Sequence, residues 1–206
     1  MARAAPRSLV LASGSAARLR LLRDAGIDPE VVVSGADETN DDGLGTAALV
    51  GVLAERKAAT VAALHPQALV LGCDSMLDLT GTAVGKPASA PEAISLWHRL
   101  AGRHATLFTG HRLIDGLAGR QASGVAATVV RFGTPTDSEI AAYVATGEPL
   151  QLAGAFSIDG RGAPFIDGID GDPANVIGVS LPLLRRLLAE LDIAITDLWR
   201  PPDAPV

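Results

Sequence analysis

Two residues of opposite charge, Asp74 and Lys86, lie on either side of a predicted β-hairpin. Gly81 stands between them and is typical of a tight turn, so the chain is expected to bring Lys86 back beside Asp74. An acid held next to a fixed cation suits chemistry on a charged substrate, such as a phosphate compound. The simpler alternative is an Asp that caps a helix and an unrelated lysine on the surface.

The apolar run at residues 68–71 predicts a strand that is buried on both faces, because its apolar residues do not alternate with polar ones. The run stops at Gly72, so Asp74 is expected just past the end of this strand. Ligands of α/β sheets bind outside the carboxyl ends of the strands, which makes Asp74 a candidate site residue.

A unit near the start of the chain is predicted to be a strand, a turn of small residues and a helix. Residues 9–12 are apolar, Ser13 and Ser15 flank a glycine, and Gly26 ends the helical pattern. The N–H groups of the turn, the two hydroxyls and the positive end of the helix dipole suit a phosphate. Arg18, one turn into the helix, offers a bidentate contact to phosphate oxygens. The simpler alternative is a serine that only caps the helix.

Two more charged residues are candidates by their place in the predicted elements. Glu38 follows a predicted strand at residues 31–33, and Lys57 lies in the middle of a predicted helix at residues 46–64. Taken by themselves, an acidic loop in solvent and a solvated helix face are the simpler interpretations of these two residues.

The rest of the chain continues the mixture of helices and strands. Residues 154–171 are rich in glycine and are expected to form short strands and tight turns that pack on the sheet. Further helices are predicted at residues 90–101, 136–146 and 181–191, and further strands at residues 105–108, 111–115 and 126–132. The second of these helices starts with a pattern typical of a capping box, with Thr136 as the N-cap and Glu139 three residues later.

Composition limits the class of protein. The chain has 206 residues, of which 48% are apolar and only 3% aromatic, so it can bury a large aliphatic core. Its net charge of -6 argues against a general nucleic-acid binder. No apolar run reaches the roughly 18 residues of a membrane span, and Cys73 is the single cysteine, so we expect a soluble, cytoplasmic protein without an intrachain disulfide. The histidines lack metal-ligand spacing, and no serine-hydrolase elbow occurs.

Three motifs in a fixed order make the chain resemble the Maf family of nucleoside triphosphate pyrophosphatases. They are LASGSAARLRLL near the start, the Asp74 stretch with its Gly-Lys-Pro, and the late AGAFSIDGRG with GDPANVIGVSLPLL. The match covers about Leu9 to Leu188. It implies one Maf-like domain over residues 1–206, with two lobes and a Pro-rich tail from about residue 201.

The resemblance also implies a fold and an activity. The fold is α/β and ITPase-like: a long, bent mixed sheet flanked by helices, with two lobes around a central cleft. The activity is hydrolysis of a nucleoside triphosphate to the monophosphate and pyrophosphate, with a divalent cation, Mg²⁺ or Mn²⁺. No nucleic-acid or membrane partner is expected, and a homodimer is left open. The alternative function is a nucleotide-binding regulator of septation without significant turnover.

The resemblance supplies roles residue by residue. Asp74 matches the family's proposed catalytic carboxylate, and Glu38 with Asp74 offers oxygen ligands for the metal. Whether Asp74 is a base, a metal ligand or both stays open. The substrate's phosphates are assigned to Ser15, Arg18, Lys57 and Lys86 by the family motifs, and to Ser13 by the hydroxyl-bearing turn.

Three residues where this chain departs from the family pattern bear on the choice of base. Ala17 stands where the family often has Arg, Ser75 where one subgroup has Thr, and Asp159 where that subgroup has Gln and another has Glu. Leu152 also departs from the pattern, since a Lys is common there before Ala-Gly. A Gln both donates and accepts hydrogen bonds, whereas an ionised Asp only accepts them. The departures predict a relaxed base specificity that leans towards pyrimidines, while the preferred base stays open.

Overall fold

A computed structural model describes residues 7–38 and 43–200 of the chain as a mixed sheet flanked by helices. The predicted Pro-rich tail lies outside the described residues. The strands are β1 (Leu9–Leu11), β2 (Glu30–Val31), β3 (Leu69–Leu79), β4 (Thr82–Val84), β5 (His104–Asp115), β6 (Arg120–Phe132) and β7 (Ile166–Asp170). The helices are α1 (Ala16–Asp24), α2 (Thr46–Leu64), α3 (Ala90–Leu100), α4 (Asp137–Ala145), α5 (Pro173–Ile177) and α6 (Leu181–Glu190).

The strands form one sheet in the order β2-β1-β3-β5-β6-β7, with β4 paired to β3 beside this path. β1 runs parallel to both β2 and β3, and all other pairs are antiparallel. The α/β class with a mixed sheet is therefore confirmed. None of the helices in the described ranges is long and apolar enough to cross a membrane.

The two larger of the three hydrophobic clusters among the described residues, the first and the second core, share the three longest strands. β3 contributes Leu71 to the first core, in which the leucines of α6 lie, and Leu77 to the second, in which Trp97 of α3 lies. β5 and β6 likewise contribute side chains to both cores. Asp74 and Ser75 fall between the two cores along β3, so the expected two lobes meet at these residues.

Helix α2 packs unusually close to the sheet because two glycines face it. A Cβ atom at Gly72 would lie 2.3 Å from the carbonyl oxygen of Ala54, and one at Gly110 would lie 2.1 Å from that of Val50. Both contacts are shorter than real Cβ atoms tolerate, so only glycine lets the helix backbone rest on β3 and β5. This contact brings Lys57, on the same helix, within reach of the sheet.

The prediction that Asp74 follows the end of a strand is wrong. β3 continues through Gly72 and Asp74 to Leu79, and Asp74 pairs with Gly110 of β5. The neighbouring β1 is the strand that stops, since its last pair joins Leu11 to Leu71. Asp74 therefore lies inside its own strand and three residues beyond the last residue of β3 that pairs with β1, where the sheet opens.

Other predictions are confirmed to within a few residues. The helix predicted at residues 46–64 is α2 itself, and Thr136 and Glu139 form the expected capping box of α4. The β3–β4 hairpin turns at Thr80 and Gly81, both with positive φ. Other outcomes differ: the strands predicted at 105–108 and 111–115 are one strand, the strand predicted at 126–132 begins at Arg120, and α5 was not predicted.

Candidate active site

A cleft of about 820 Å³ opens where β1 ends beside β3, between the two cores. Of the ten residues predicted for the site, all except Asp159 line this cleft. These lining residues are Ser13, Ser15, Ala17, Arg18, Glu38, Lys57, Asp74, Ser75 and Lys86. The fold thus brings together residues that come from five separate segments of the chain.

The ammonium group of Lys57 lies between two carboxylates. Its Nζ atom is 2.5 Å from Oδ1 of Asp74 and 2.8 Å from Oε1 of Glu38. Lys57 and Asp74 are only 8% and 7% exposed, while the side chain of Glu38 is largely in solvent. The simpler interpretations of Lys57 as a solvated helix residue and Asp74 as a helix cap are therefore excluded.

Arg18 is buried and its guanidinium joins three parts of the site. Nε donates to the carbonyl oxygen of Gly178 at 3.0 Å, Nη1 to Oγ of Ser13 at 3.0 Å, and Nη2 to Oγ of Ser75 at 2.9 Å. A guanidinium has five N–H donors, so these contacts leave about two for a ligand in the cleft. Arg18 thus holds the small-residue turn against β3 and itself lines the cleft.

The turn between β1 and α1 has the capping geometry that its serines predict. Oγ of Ser15 accepts a hydrogen bond from the backbone N–H of Arg18, at 3.4 Å. Oγ of Ser13 accepts one from the backbone N–H of Ser15, at 3.3 Å. Ser15 is therefore the N-cap of α1, and both hydroxyls line the cleft as well.

A buried polar chain behind Ser75 was not found from the sequence. Oγ of Ser75 lies 2.9 Å from Oγ1 of Thr109, which donates to the carbonyl oxygen of Asn175 at 3.2 Å. The Asn175 amide donates in turn to Leu107 and Thr128. The sequence offers one local sign of this arrangement: Asp172 followed by Pro173 is typical of the start of a helix, and α5, which carries Asn175, does start there. This chain ties α5 to the sheet beneath the cleft.

Two other titratable groups near the site are held in their neutral forms. Burial lowers the pKa of His111 to about 4, and its Nε2 atom accepts a hydrogen bond from the N–H of Ser180. Burial raises the pKa of the Cys73 thiol to about 12. Cys73 is therefore no thiolate nucleophile, and His111 supports the start of α6.

Lys86 reaches the cleft by the hairpin that the sequence predicts. β4 pairs with β3 from Leu79 to Leu77, and the chain then continues into Gly85 and Lys86. The carbonyl oxygen of Gly85 accepts a hydrogen bond from the N–H of Gly154, at 2.9 Å, which fixes this segment. Within the described ranges Lys86 has no ion-pair partner, and its side chain is exposed at the cleft.

The three predicted specificity residues do not lie together. Ala17 and Ser75 line the cleft, whereas Asp159 lies outside the lining and forms an ion pair with Arg20 of α1. Leu152, at another position where the chain departs from the family pattern, does line the cleft. The partner of Asp159 comes from the opposite lobe, which the sequence did not indicate.

The chain is similar over most of its length to one protein family and to several proteins that share one name. The family model described as Maf-like protein matches residues 8–191. Proteins named nucleoside triphosphate pyrophosphatase from Streptomyces avermitilis and Streptomyces coelicolor are 61% and 62% identical to the chain, each over 95% of it and 96% of their own length. One of the same name from Salinispora tropica is 52% identical over 94% of the chain and 88% of its own length.

Proposed function

Because the chain belongs to the Maf family, we propose that it is a nucleoside triphosphate pyrophosphatase, which releases pyrophosphate and leaves the nucleoside monophosphate. The observation that carries the proposal is Lys57, buried between Asp74 and Glu38 on the wall of the cleft. A binding protein has no need to bury an acid where a phosphate must approach, since the two charges repel. The simplest reason for this arrangement is that the carboxylate orients or deprotonates an attacking water molecule.

The proposed reaction is attack of water on the α-phosphorus. Asp74 orients this water or takes its proton, and the ion pair with Lys57 holds the carboxylate in place. Negative charge then grows on the bridging oxygen and the leaving pyrophosphate. The cationic groups of Arg18, Lys57 and Lys86 face the cleft and stabilise that charge.

The residues present fit a divalent metal ion bound together with the substrate. Mg²⁺ is usually held by one or two carboxylates plus substrate phosphates, so no cluster of three protein acids is needed. None occurs in the described ranges, but Glu38 and Asp74 supply two carboxylates in one cleft. When bound there, Mg²⁺ or Mn²⁺ would neutralise charge on the phosphates.

The first prediction concerns the bond that is cut. We expect phosphorus NMR of the products to show pyrophosphate and a nucleoside monophosphate as primary products, because the leaving group is pyrophosphate. EDTA should abolish turnover and added Mg²⁺ or Mn²⁺ should restore it. Orthophosphate with a nucleoside diphosphate would contradict the proposed cut, and turnover that resists EDTA would exclude the metal.

The same assay separates the enzyme from the alternative, a nucleotide-binding regulator. A regulator would bind the triphosphate without releasing pyrophosphate at a useful rate. We also retain a single domain, a cytoplasmic location and the absence of nucleic-acid partners as predictions from the sequence, with the homodimer left open.

The second prediction concerns the choice of base. We expect kcat/KM to differ by less than about 100-fold among UTP, dTTP, CTP, ATP, GTP and 7-methyl-GTP, because a site without matched polar partners discriminates weakly. Asp159→Gln should change the order by restoring a donor and by releasing Arg20. Arg20→Gln is the matched control, since it frees Asp159 without adding a donor at residue 159. An order that Asp159→Gln leaves unchanged would rule out a specificity role for Asp159.

A further inference from the structure

We propose that Glu148 is a positioning residue that closes the loop of residues 148–162 and thereby sets the affinity for the substrate. The loop begins at Glu148 and returns to it, and its middle forms part of the cleft wall. This inference rests on the proposed function, since it concerns the same cleft. It assigns Glu148 no contact with the substrate.

The carboxylate of Glu148 accepts four hydrogen bonds. Oε1 accepts from Oη of Tyr143 at 2.9 Å, from Oγ of Ser157 at 2.5 Å and from the N–H of Gly162 at 3.2 Å. Oε2 accepts from the N–H of Arg161 at 3.0 Å. Three of the four donors belong to the far end of the loop, so one side chain joins both of its ends.

The backbone packs so closely around this carboxylate that a side chain at Gly160 or Gly162 would collide with its neighbours. A Cβ atom at Gly160 would lie 2.7 Å from Oε1 of Glu148, and one at Gly162 would lie 2.5 Å from Oη of Tyr143. Burial by itself would raise the pKa of Glu148, but the hydrogen bonds, that of Ser157 first, lower it. The acid is therefore ionised at neutral pH, and its hydrogen bonds are of the stronger, charge-assisted kind.

The middle of the loop lines the cleft in which the substrate is proposed to bind. Its residues Gln151, Leu152, Ala153 and Phe156 line the same cleft as Ser13 and Ser15. Two other hydrogen bonds hold this middle part: Gly154 donates to Gly85, and the indole of Trp97 donates to the carbonyl oxygen of Ala155 at 2.8 Å. Glu148 holds the far end of the loop at Ser157, Arg161 and Gly162, where Asp159 also forms its exposed ion pair with Arg20.

The loop can thus loosen at one end without disturbing the acid and the lysines. Asp74 and Lys57 belong to β3 and α2, and the segment before Lys86 keeps its bond to Gly154. Loss of the Glu148 contacts should therefore weaken substrate binding more than the chemical step. KM rises with little change in kcat when a variant loses contacts that bind the substrate and the transition state equally well.

The test is Glu148→Gln. The hydroxyls of Tyr143 and Ser157 can turn to a new partner, but an amide NH₂ cannot accept from the N–H of Arg161. We expect KM for the best triphosphate to rise about tenfold, equivalent to about 1.4 kcal/mol, with kcat changed by less than about threefold. Calorimetric titration with an α,β-methylene triphosphate, which cannot be cut at that bond, should show the same loss of affinity.

Two further variants control the interpretation. Thr136→Ala removes the N-cap of α4, the helix that carries Tyr143, and should lower the melting temperature while KM stays at the wild-type value. Ser157→Ala removes one donor to Glu148 and should raise KM by a smaller factor, even if Glu148→Gln does not fold.

An unchanged KM in both Glu148→Gln and Ser157→Ala would overturn the inference. So would a rise of the same size in Thr136→Ala, because the effect would then follow general stability. A wild-type protein that releases no pyrophosphate from any triphosphate would instead refute the proposed function. The analogue titration would still measure the effect of Glu148 on nucleotide binding in that case.

Discussion

Asp74→Asn is expected to lower kcat by at least about 100-fold, the usual loss when a general acid or base is removed. The amide keeps the size of the side chain, but it cannot take a proton and carries no charge. Lys57 retains its contact with Glu38, so the variant should fold. The measurement is pyrophosphate release under saturating substrate, together with the affinity for an α,β-methylene triphosphate, which should change far less than kcat.

A matched control lies on the same strand. Asp78 accepts hydrogen bonds from Oγ1 of Thr46 at 2.5 Å and from the N–H of Gly81 at 2.7 Å, outside the cleft lining. Asp78→Asn makes the same chemical change four residues along β3 and should retain wild-type kcat. A folded Asp74→Asn protein with near-normal turnover would show that Asp74 is not the catalytic carboxylate.

Lys57→Met is expected to lower the free energy of unfolding by about 3 kcal/mol and to abolish measurable turnover. Removal of one member of a buried ion pair leaves the other charge without a partner, which typically costs about 3 to 5 kcal/mol. Here the stranded charge is the carboxylate of Asp74, which is only 7% exposed. Denaturant unfolding at neutral pH measures the loss, and Met preserves the apolar stem of the lysine.

The double variant Lys57→Met/Asp74→Asn gives the decisive comparison. It carries no stranded charge, so it should be more stable than Lys57→Met alone, with a coupling energy measured by the mutant cycle. Glu38→Gln should have little effect on stability, because the Glu38 side chain is 64% exposed. Strictly additive losses would mean that Lys57 and Asp74 do not interact in the folded protein.

Local signals in the sequence were enough for most of the fold. The capping box at Thr136 and Glu139, the turn at Gly81 and the bounds of α2 all follow from residues a few positions apart. Such patterns act within one or two turns of chain, so they predict elements without knowledge of the sheet. The mixed sheet then followed from the resemblance, as did the role of Lys57, whereas Asp74, Lys86 and the Ser13 turn were candidates from their places in the predicted elements.

Long-range contacts account for what was missed. Gly72 was interpreted as the end of a strand, but its missing side chain makes room for α2, which contacts it from a distant part of the chain. The periodicity of α2 likewise cannot show that Lys57 meets Asp74, and nothing near Asp159 indicates Arg20 as its partner. These pairings depend on how the elements pack, which a single sequence does not record.

The sharing of β3, β5 and β6 by both cores has a consequence for motion. These strands pass from one core to the other without a loop between them, so the lobes have no hinge at which to swing. A change in the angle between the lobes must bend a hydrogen-bonded sheet, and packed cores resist such deformation. The width of the cleft is therefore largely set before a nucleotide arrives. Affinity should then owe more to this preorganisation than to closure around the ligand, with the loops at the rim governing entry and exit.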